Sequence, residues 1–282
     1  MAYQFGHINA YSQTGSINSS NPKITTGCLG EAFRDEGMAS HVNDPKKPII
    51  LLGSREEINS ALKNYEDKFK DSRGHKLRKD GKELLAGVLS WLLGTASNQY
   101  NMYLPLIIFY LMKKYGSSLR CILSHEDEPF FDETGKYHGE THFHIHFFVV
   151  PKSTENFRDY HPGLMAKWQA KEDGLNHWEA DDRYKWRMGD WQDELNREVG
   201  IPLGWLKARP KELQGKRLSR RQYKIIKAAK EESIQIKNEA KIEAKKIIEN
   251  ANTQANSLIN NAEKKAEILL NEVKKILIRN IS

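Results

Sequence analysis

The order of short apolar segments predicts an α+β fold: a central antiparallel sheet with flanking helices, followed by a long C-terminal coiled-coil helix. Two observations lead to this prediction. Up to Pro151, segments with two-residue alternation are interspersed with segments of helical spacing. From Ala229 onwards, small and aliphatic residues recur every eleven positions, with no Gly or Pro between them.

The first part of the chain contains the segments of the predicted sheet. Predicted strands cover 3–11, 49–52, 84–89 and 119–124, and predicted helices cover 28–36, ended by Gly37, 55–70 and 104–115. Residues 135–139, Gly-Lys-Tyr-His-Gly, predict a hairpin turn that joins a strand ending near His125 to one starting near His142. A hairpin of this kind would bring His125 beside His144 and His146.

Aromatic residues are concentrated after Pro151, where five tryptophans occur. Helical spacing predicts that Trp186, Leu195 and Val199 point toward a core. Most of these aromatics are therefore expected to pack in the interior, and a minority could stack on unpaired bases.

The C-terminal repeat contains three apolar rows. They are Ala240, Ala251, Ala262 and Val273; Ala244, Ala255 and Ala266; and Ile236, Ile247, Leu258 and Leu269. Eleven residues over three turns give 3.67 residues per turn, typical of a straight or slightly right-handed coiled coil. A partner helix, from a second copy or another protein, would cover this stripe; the alternative is a single solvated helix.

These segments predict three regions: a globular domain at 1–210, a basic linker at 211–221 and the coiled-coil helix at 222–282. The basic segment is either a solvated linker or a patch that contacts phosphate. The net charge of +7 and the pI of about 9.1 are compatible with a phosphate-bearing partner. Two cysteines and no visible secretory signal favour a reducing, cytoplasmic location, and the apolar runs are too short to span a bilayer.

A row of histidines in Thr-His-Phe-His-Ile-His-Phe, residues 141–147, is the strongest functional signal. Alternation in a strand places His142, His144 and His146 on one side and apolar residues on the other. With His125 brought in by the hairpin, two or three imidazoles could bind Zn, Mn, Ni or Cu, and nearby carboxylates could orient them. The alternative is a surface histidine cluster without an ion.

Three places together resemble the plasmid mobilisation relaxases of the Mob/Pre type, within the His-hydrophobic-His endonuclease group. They are Leu-Arg-Lys-Asp at 77–80 before a strand, His-Glu-Asp-Glu at 125–128, and His-Ile-His at 144–146 before Val-Val-Pro. The resemblance spans about residues 1–220 and implies a five-stranded antiparallel sheet with flanking helices.

The resemblance also implies an activity and a set of ligands. Such relaxases nick one DNA strand at an origin of transfer and stay attached to the 5′ phosphate. The family's metal ligands carry over to His125, His144 and His146, and its acidic partner to Glu128, with Asp127 beside it. Mn²⁺ or Mg²⁺ is the expected cofactor and plasmid DNA the expected partner. His142 is a possible extra ligand, because the family usually has Thr-Pro at this place.

The nucleophile is not marked by a matching motif. Arg34 fits the arginine of the family's first motif, but Glu31 stands where that motif has histidine. A nucleophile must reach the metal-bound phosphate, so His41, in a loop flanked by proline, is the first candidate and Tyr11 the second. His7 and Tyr3 are further candidates.

Basic residues near these motifs are candidates for DNA contacts. They are Arg34, Arg78, Lys79, Arg217, Arg220 and Arg221. Two alternative functions stay open: a rolling-circle replication initiator that makes the same nick, and a non-catalytic DNA-binding oligomer. Formation of a covalent DNA adduct would separate the enzymes from the binding protein, and plasmid transfer between cells would separate the two enzymes.

Overall fold

The computed structural model describes residues 4–15, 22–39, 42, 44–91, 97–131, 137–141, 143–205 and 220–279. It forms two compact units, Met1–Gln214 and Gly215–Ser282. The predicted fold class is confirmed: the first unit has a five-stranded antiparallel sheet with flanking helices, and the second contains a long helix.

The sheet has the strand order β1-β3-β7-β4-β2, and every neighbouring pair is antiparallel. The strands are β1 (Gln4–Tyr11), β2 (Ile49–Gly53), β3 (Leu84–Trp91), β4 (Leu119–His125), β5 (Pro129–Phe131), β6 (Tyr137–Thr141) and β7 (His144–Val149). The short β5 and β6 pair with each other, outside the main sheet. The helices are α1 (Thr25–Ala32), α2 (Arg55–Lys68), α3 (Ser97–Tyr115), α4 (Pro162–Glu172), α5 (His177–Leu195) and α6 (Arg220–Arg279). Single turns of 3₁₀-helix cover Gly116–Ser118, Phe157–Tyr160 and Ile201–Leu203, and a π-helical turn covers Asn196–Gly200.

Both faces of the sheet are covered. On one face Leu89, Ile145 and Phe147 share a buried core with residues of α3 and α5. On the other face Leu84 and Phe148 pack against residues of α1 and α2. Burial on both sides explains the continuously apolar end of β7 and leaves only the start of that strand for polar chemistry.

Four local predictions differ from the structure. Helix α1 ends at Ala32, four residues before the predicted end, and α3 begins at Ser97, seven residues before its predicted start. Residues 137–139, predicted as a turn, lie in β6. Trp186, predicted to be buried, is 64% exposed. Trp191 is fully buried instead, because it shares the inward face of α5 with Leu195.

The described part of the second unit is α6, whose aliphatic side chains are solvent-exposed wherever they are described. Ile236, Ile247 and Leu258 of one predicted row are 59%, 62% and 70% exposed. Within the described ranges, no helix combines the length and apolar character needed to cross a membrane.

Candidate metal centre

The histidine cluster forms because β7 and β4 are antiparallel neighbours in one particular register. His125, the last residue of β4, pairs directly with His144, the first residue of β7. His146 lies two residues further along β7, so its side chain emerges on the same face as that of His144. The register therefore gathers three imidazoles at one end of the sheet face that α1 and α2 cover.

The three imidazoles are close enough to share one ion. One ring nitrogen from each lies within 4.8 Å of the other two. The ring centroids of His125 and His144 are 4.9 Å apart, those of His125 and His146 4.5 Å, and those of His144 and His146 5.0 Å. This cluster is the predicted ligand set, and the structure brings all three members together.

The tautomer of His125 is set by helix α1. The His125 Nε2 lies 2.7 Å from the carbonyl oxygen of Ala32, so Nε2–H donates and Nδ1 carries the lone pair. That Nδ1 is 3.1 Å from Nε2 of His144. Two nitrogens bound to one ion at about 2.1 Å and at near right angles lie about 3 Å apart, so this spacing fits a shared divalent ion.

Burial keeps two rings of the cluster, those of His125 and His146, uncharged. Burial, followed by the nearby His144, lowers the pKa of His125 to about 4. Burial and the two neighbouring imidazoles lower the pKa of His146 well below its ordinary value. Neutral imidazole is the form that binds metal, and these rings are neutral at physiological pH. The donor set therefore fits a divalent ion.

Two carboxylates border the cluster and have different surroundings. The side chain of Asp127 is 2% exposed and accepts hydrogen bonds from Arg34 Nε, Arg34 Nη2 and the backbone N–H of Lys46. Burial alone would raise the pKa of Asp127, but these donors outweigh it, and the pKa is lowered. The side chain of Glu128 is 25% exposed, and its Oε1 lies 3.0 Å from Arg34 Nη2 and 3.5 Å from His144 Nε2. Glu128 thus faces the cluster, and Asp127 fixes the residues that follow β4 to Arg34 and Lys46.

Arg34 reaches these carboxylates from an unusual backbone conformation. Its φ of 58° is the only positive φ of a non-glycine residue in the described chain. The N–H of Arg34 donates to Glu31 O and that of Asp35 to Gly30 O, the hydrogen bonds of a Schellman helix end. Glycine usually occupies this position, because a side chain there costs about 1–2 kcal/mol. Arginine here directs its guanidinium, which is 2% exposed, onto both carboxylates.

The candidate nucleophiles lie at different distances from the cluster. His7 on β1 pairs with Val88, which pairs with His146, so His7 and His146 lie in one row, about 10 Å apart between Cα atoms. Tyr11 shares that face of β1 but lies four residues beyond His7, so its Cα is about 13 Å from that of His7 at the usual rise and still further from the cluster. Burial raises the pKa of Tyr11, and its hydroxyl is hydrogen-bonded with Cys28.

Other predicted site residues are not gathered at the cluster. Arg78 forms an exposed ion pair with Asp80, and the carbonyl of Lys79 accepts from Thr14, beyond the Tyr11 end of β1. The guanidinium of Arg34 is taken up by carboxylates rather than open to a phosphate. His41, His142 and Arg217 lie outside the described residues, and Arg220 and Arg221 belong to α6, with undescribed side chains.

Two partners of the site could not be recognised in the sequence. The carbonyl of Ala32 and the amide of Lys46 are backbone groups, so no residue type marks them. A third, His7, was visible only as one of several candidate nucleophiles.

No family model and no curated protein matched the chain. Three similar solved structures are crystal structures of the MobM relaxase domain (MOBV; Mob_Pre), Mn-bound and in complex with plasmid pMV158 oriT DNA. They share 13%, 14% and 16% identity with this chain at TM-scores of 0.47, 0.48 and 0.48. Each similarity covers 79% of this chain and 98–99% of the other chain.

Proposed function

We propose that this chain is a metal-dependent DNA strand transferase of the relaxase type. It would nick one strand at a plasmid origin of transfer, keep the 5′ phosphate covalently and so support conjugative mobilisation in the cytoplasm. The observation that carries the proposal is the cluster of three imidazoles, the buried His125 and His144 and the half-buried His146, beside two carboxylates that Arg34 binds. These groups stand in the motifs that resemble the Mob/Pre relaxases.

The residues have separate roles in this proposal. Nδ1 of His125, Nε2 of His144 and one nitrogen of His146 would hold the ion, with Ala32 fixing the first ring. When bound, a divalent ion such as Mn²⁺ or Mg²⁺ polarises a non-bridging phosphate oxygen and offsets charge in the transition state. Glu128 is exposed enough to meet the substrate, whereas Asp127 positions the segment through Arg34.

The nucleophile forms a bond to phosphorus while the bond to the 3′ oxygen breaks, and that oxygen leaves with a proton. Among the described candidates, His7 is better placed than Tyr11, because it shares a row with His146. Burial, then Lys23 and His144, lowers the pKa of His7, so its ring is neutral and carries a nucleophilic lone pair. His41 is the other candidate, and the loop that follows it reaches Asp127 through the Lys46 amide.

A nicking assay tests this function. The substrate is supercoiled plasmid with the cognate origin and Mn²⁺ or Mg²⁺, and the proteins are wild type, His144→Ala, His7→Gln, His41→Gln and Tyr11→Phe. The expected result is a metal-dependent nick that is lost in His144→Ala, with the DNA adduct mapped to one histidine. Tight origin binding without nick or adduct would instead identify a non-catalytic DNA-binding protein, the alternative that Glu31 in the first motif favours. Plasmid transfer between cells then separates mobilisation from rolling-circle replication.

We also propose that α6 pairs with a second copy as a coiled coil. The basic segment 211–221, whose last two residues already belong to α6, joins this helix to the globular domain. At 3.67 residues per turn, the rows that begin at Ile236, Ala240 and Ala244 are about 33° apart. A fourth row, Ile248, Ile259 and Leu270, completes a stripe about 100° wide, and its members are 60%, 55% and 57% exposed. A helix with the same eleven-residue repeat matches this stripe along its whole length, and a second copy supplies one.

Light scattering would test this pairing. The full chain should have the mass of a dimer, and Ile247→Asp with Leu258→Asp should give the monomer mass, because two charges would be buried. Asn250→Asp with Asn261→Asp places the same charges away from the stripe and should leave the dimer intact. A monomer mass for wild type would overturn the pairing without affecting the nicking proposal.

A further inference from the structure

Two lysines converge at the open edge of the sheet, beside β1. The ammonium of Lys23 donates to the side chain of Asn9, and that of Lys82 donates to Ser12 Oγ at 3.5 Å. The backbone holds them there, because the N–H of Ser12 donates to the carbonyl of Lys23 and a parallel bridge joins Ser12 to Ile24. The lysines come from different segments, so their proximity is a property of the fold.

The charges of this pair are not matched by carboxylates. In the described part of the chain, neither lysine forms an ion pair; their hydrogen-bond partners are an amide and a hydroxyl. Partial burial, followed by the charge of Lys82, lowers the pKa of Lys23. The neighbouring Glu83 accepts a hydrogen bond from the Thr25 hydroxyl instead. Burial raises the pKa of Glu83, which favours its uncharged form. Two repelling cations without a counter-charge favour an anion.

The pair lies on the face that carries the histidine cluster. Asn9, which holds Lys23, is two residues from His7 on that face, and the field of Lys23 reaches His7. From strand spacing and rise, the Cα of Asn9 is about 12 Å from that of His146. At about 3.4 Å per nucleotide of a stacked strand, this distance corresponds to three or four nucleotides.

We propose that Lys23 and Lys82 form a phosphodiester-binding site at the β1 edge, which holds the DNA strand a few nucleotides from the phosphate on the histidine cluster. This inference rests on the proposed function, because that function places DNA on this face. The site positions the strand without reading sequence, since ammonium groups contact phosphate oxygens and not base edges. Lys23 is exposed and Lys82 half-buried, so both can reach a strand that runs along the edge.

The salt dependence of single-strand binding tests this site. The full chain is titrated into labelled oligo(dT) of about 20 nucleotides, between about 50 and 200 mM salt, with EDTA so that no metal and no nicking contribute. Each phosphate contact on a single strand adds about 0.7 to the slope of log affinity against log salt. Lys23→Gln should therefore lower the slope by about 0.7, and Lys23→Gln with Lys82→Gln by about 1.4.

The matched control is Lys171→Gln with Lys185→Gln, which removes the same charge from two exposed side chains on α4 and α5. Its slope should equal that of wild type. An equal fall in both double variants would mean a general charge effect and overturn the site, as would an unchanged slope in the Lys23 and Lys82 variants. The nicking assay on wild type distinguishes this proposal from the proposed function. If wild type nicks DNA but the lysine variants leave the slope unchanged, the lysine site is wrong and the enzymatic function stands. If the lysine variants lower the slope but wild type does not nick, the enzymatic function is wrong and the lysine site stands.

Discussion

The face of the sheet beneath α1 and α2 has two ends that differ in what burial does to their side chains. At the histidine end, burial lowers the pKa values of His125 and His146 and leaves neutral rings that fit a metal ion. At the tyrosine end, Tyr11 and Cys28 are hydrogen-bonded with each other, and burial raises both pKa values, that of Cys28 to about 12. The same loss of water favours the reactive form of imidazole and the unreactive form of phenol and thiol.

Removal of a ligand at the histidine end should have the largest effect. His144→Ala takes away one of three nitrogens, so nicking should fall by at least about a hundredfold. Calorimetric titration should show a matching loss of Mn²⁺ binding. His75→Ala, at an exposed histidine paired with Asp71, is the control and should bind metal like wild type. Unchanged metal affinity in His144→Ala would contradict the assignment of the cluster.

Substitution of Arg34, which binds Asp127 and Glu128, should have the second-largest effect. In Arg34→Gly the left-handed backbone is relieved but the guanidinium is lost, so the fold should persist while Mn²⁺ affinity falls about 10–100-fold. Arg34→Lys keeps a charge but cannot span Asp127 and Glu128 with a planar fork, so it should rescue the affinity only in part. Full Mn²⁺ affinity in Arg34→Gly would show that the contacts of Arg34 with Asp127 and Glu128 serve folding alone.

In metal-free protein, acid should destabilise the fold through the histidine end, and alkali should destabilise it through the tyrosine end. The folded pKa of His125 is about 4 against about 6.5 unfolded, so the unfolded chain binds more protons between these values and stability falls on acidification. From about pH 7.5 to about pH 5 the loss should be about 2 kcal/mol for this site. The buried His161, with a pKa of about 4, should add a similar loss.

The tyrosine end should lose stability on the alkaline side instead. The folded pKa of Cys28 lies above its unfolded value, so its contribution is present below about pH 8.5 and is lost as pH rises toward 12. Urea unfolding across pH in EDTA would measure both limbs. His125→Asn should reduce the acid loss by about 2 kcal/mol and leave the share of His161, and Cys28→Ser should reduce the alkaline loss. A single variant that reduced both losses would show that the ends are not independent.

The smallest effect is expected from Tyr11→Phe. It removes one hydroxyl that is hydrogen-bonded with Cys28, so the free energy of unfolding should fall by about 1 kcal/mol. Nicking should stay within about twofold of wild type, because the hydroxyl lies far from the cluster along β1. Loss of nicking with an unchanged unfolding free energy would make Tyr11 the nucleophile after all.

The success of prediction from sequence depended on the range of each signal. Alternation along 142–147 and the pairing of that strand with β4 follow from side-chain period and chain direction, so the three histidines could be grouped. The sequence predicts the end of α1 at Glu36 instead of Ala32, because glycine is the usual helix-ending residue and nothing local indicates that Arg34 takes the left-handed conformation. The sequence predicts a buried Trp186, whereas Trp191 is the buried residue, because helical spacing defines an apolar stripe but not which side of the helix faces the core.

The lysine pair illustrates the remaining gap. Lys23 and Lys82 are far apart in sequence, and each resembles any other surface lysine until β1 brings them together. That no carboxylate among the described residues pairs with them is visible only in three dimensions.

The strand order also assigns the site's parts to regions of different mobility. The three clustered histidines belong to β4 and β7, each of which has a hydrogen-bonded strand on both sides, while His7 belongs to the edge strand β1. Interior strands generally exchange their amide hydrogens only on global unfolding, whereas edge strands also open locally. The strands that carry the histidine cluster can thus stay paired while β1 opens locally, so His7 can move without a change in the spacing of His125, His144 and His146.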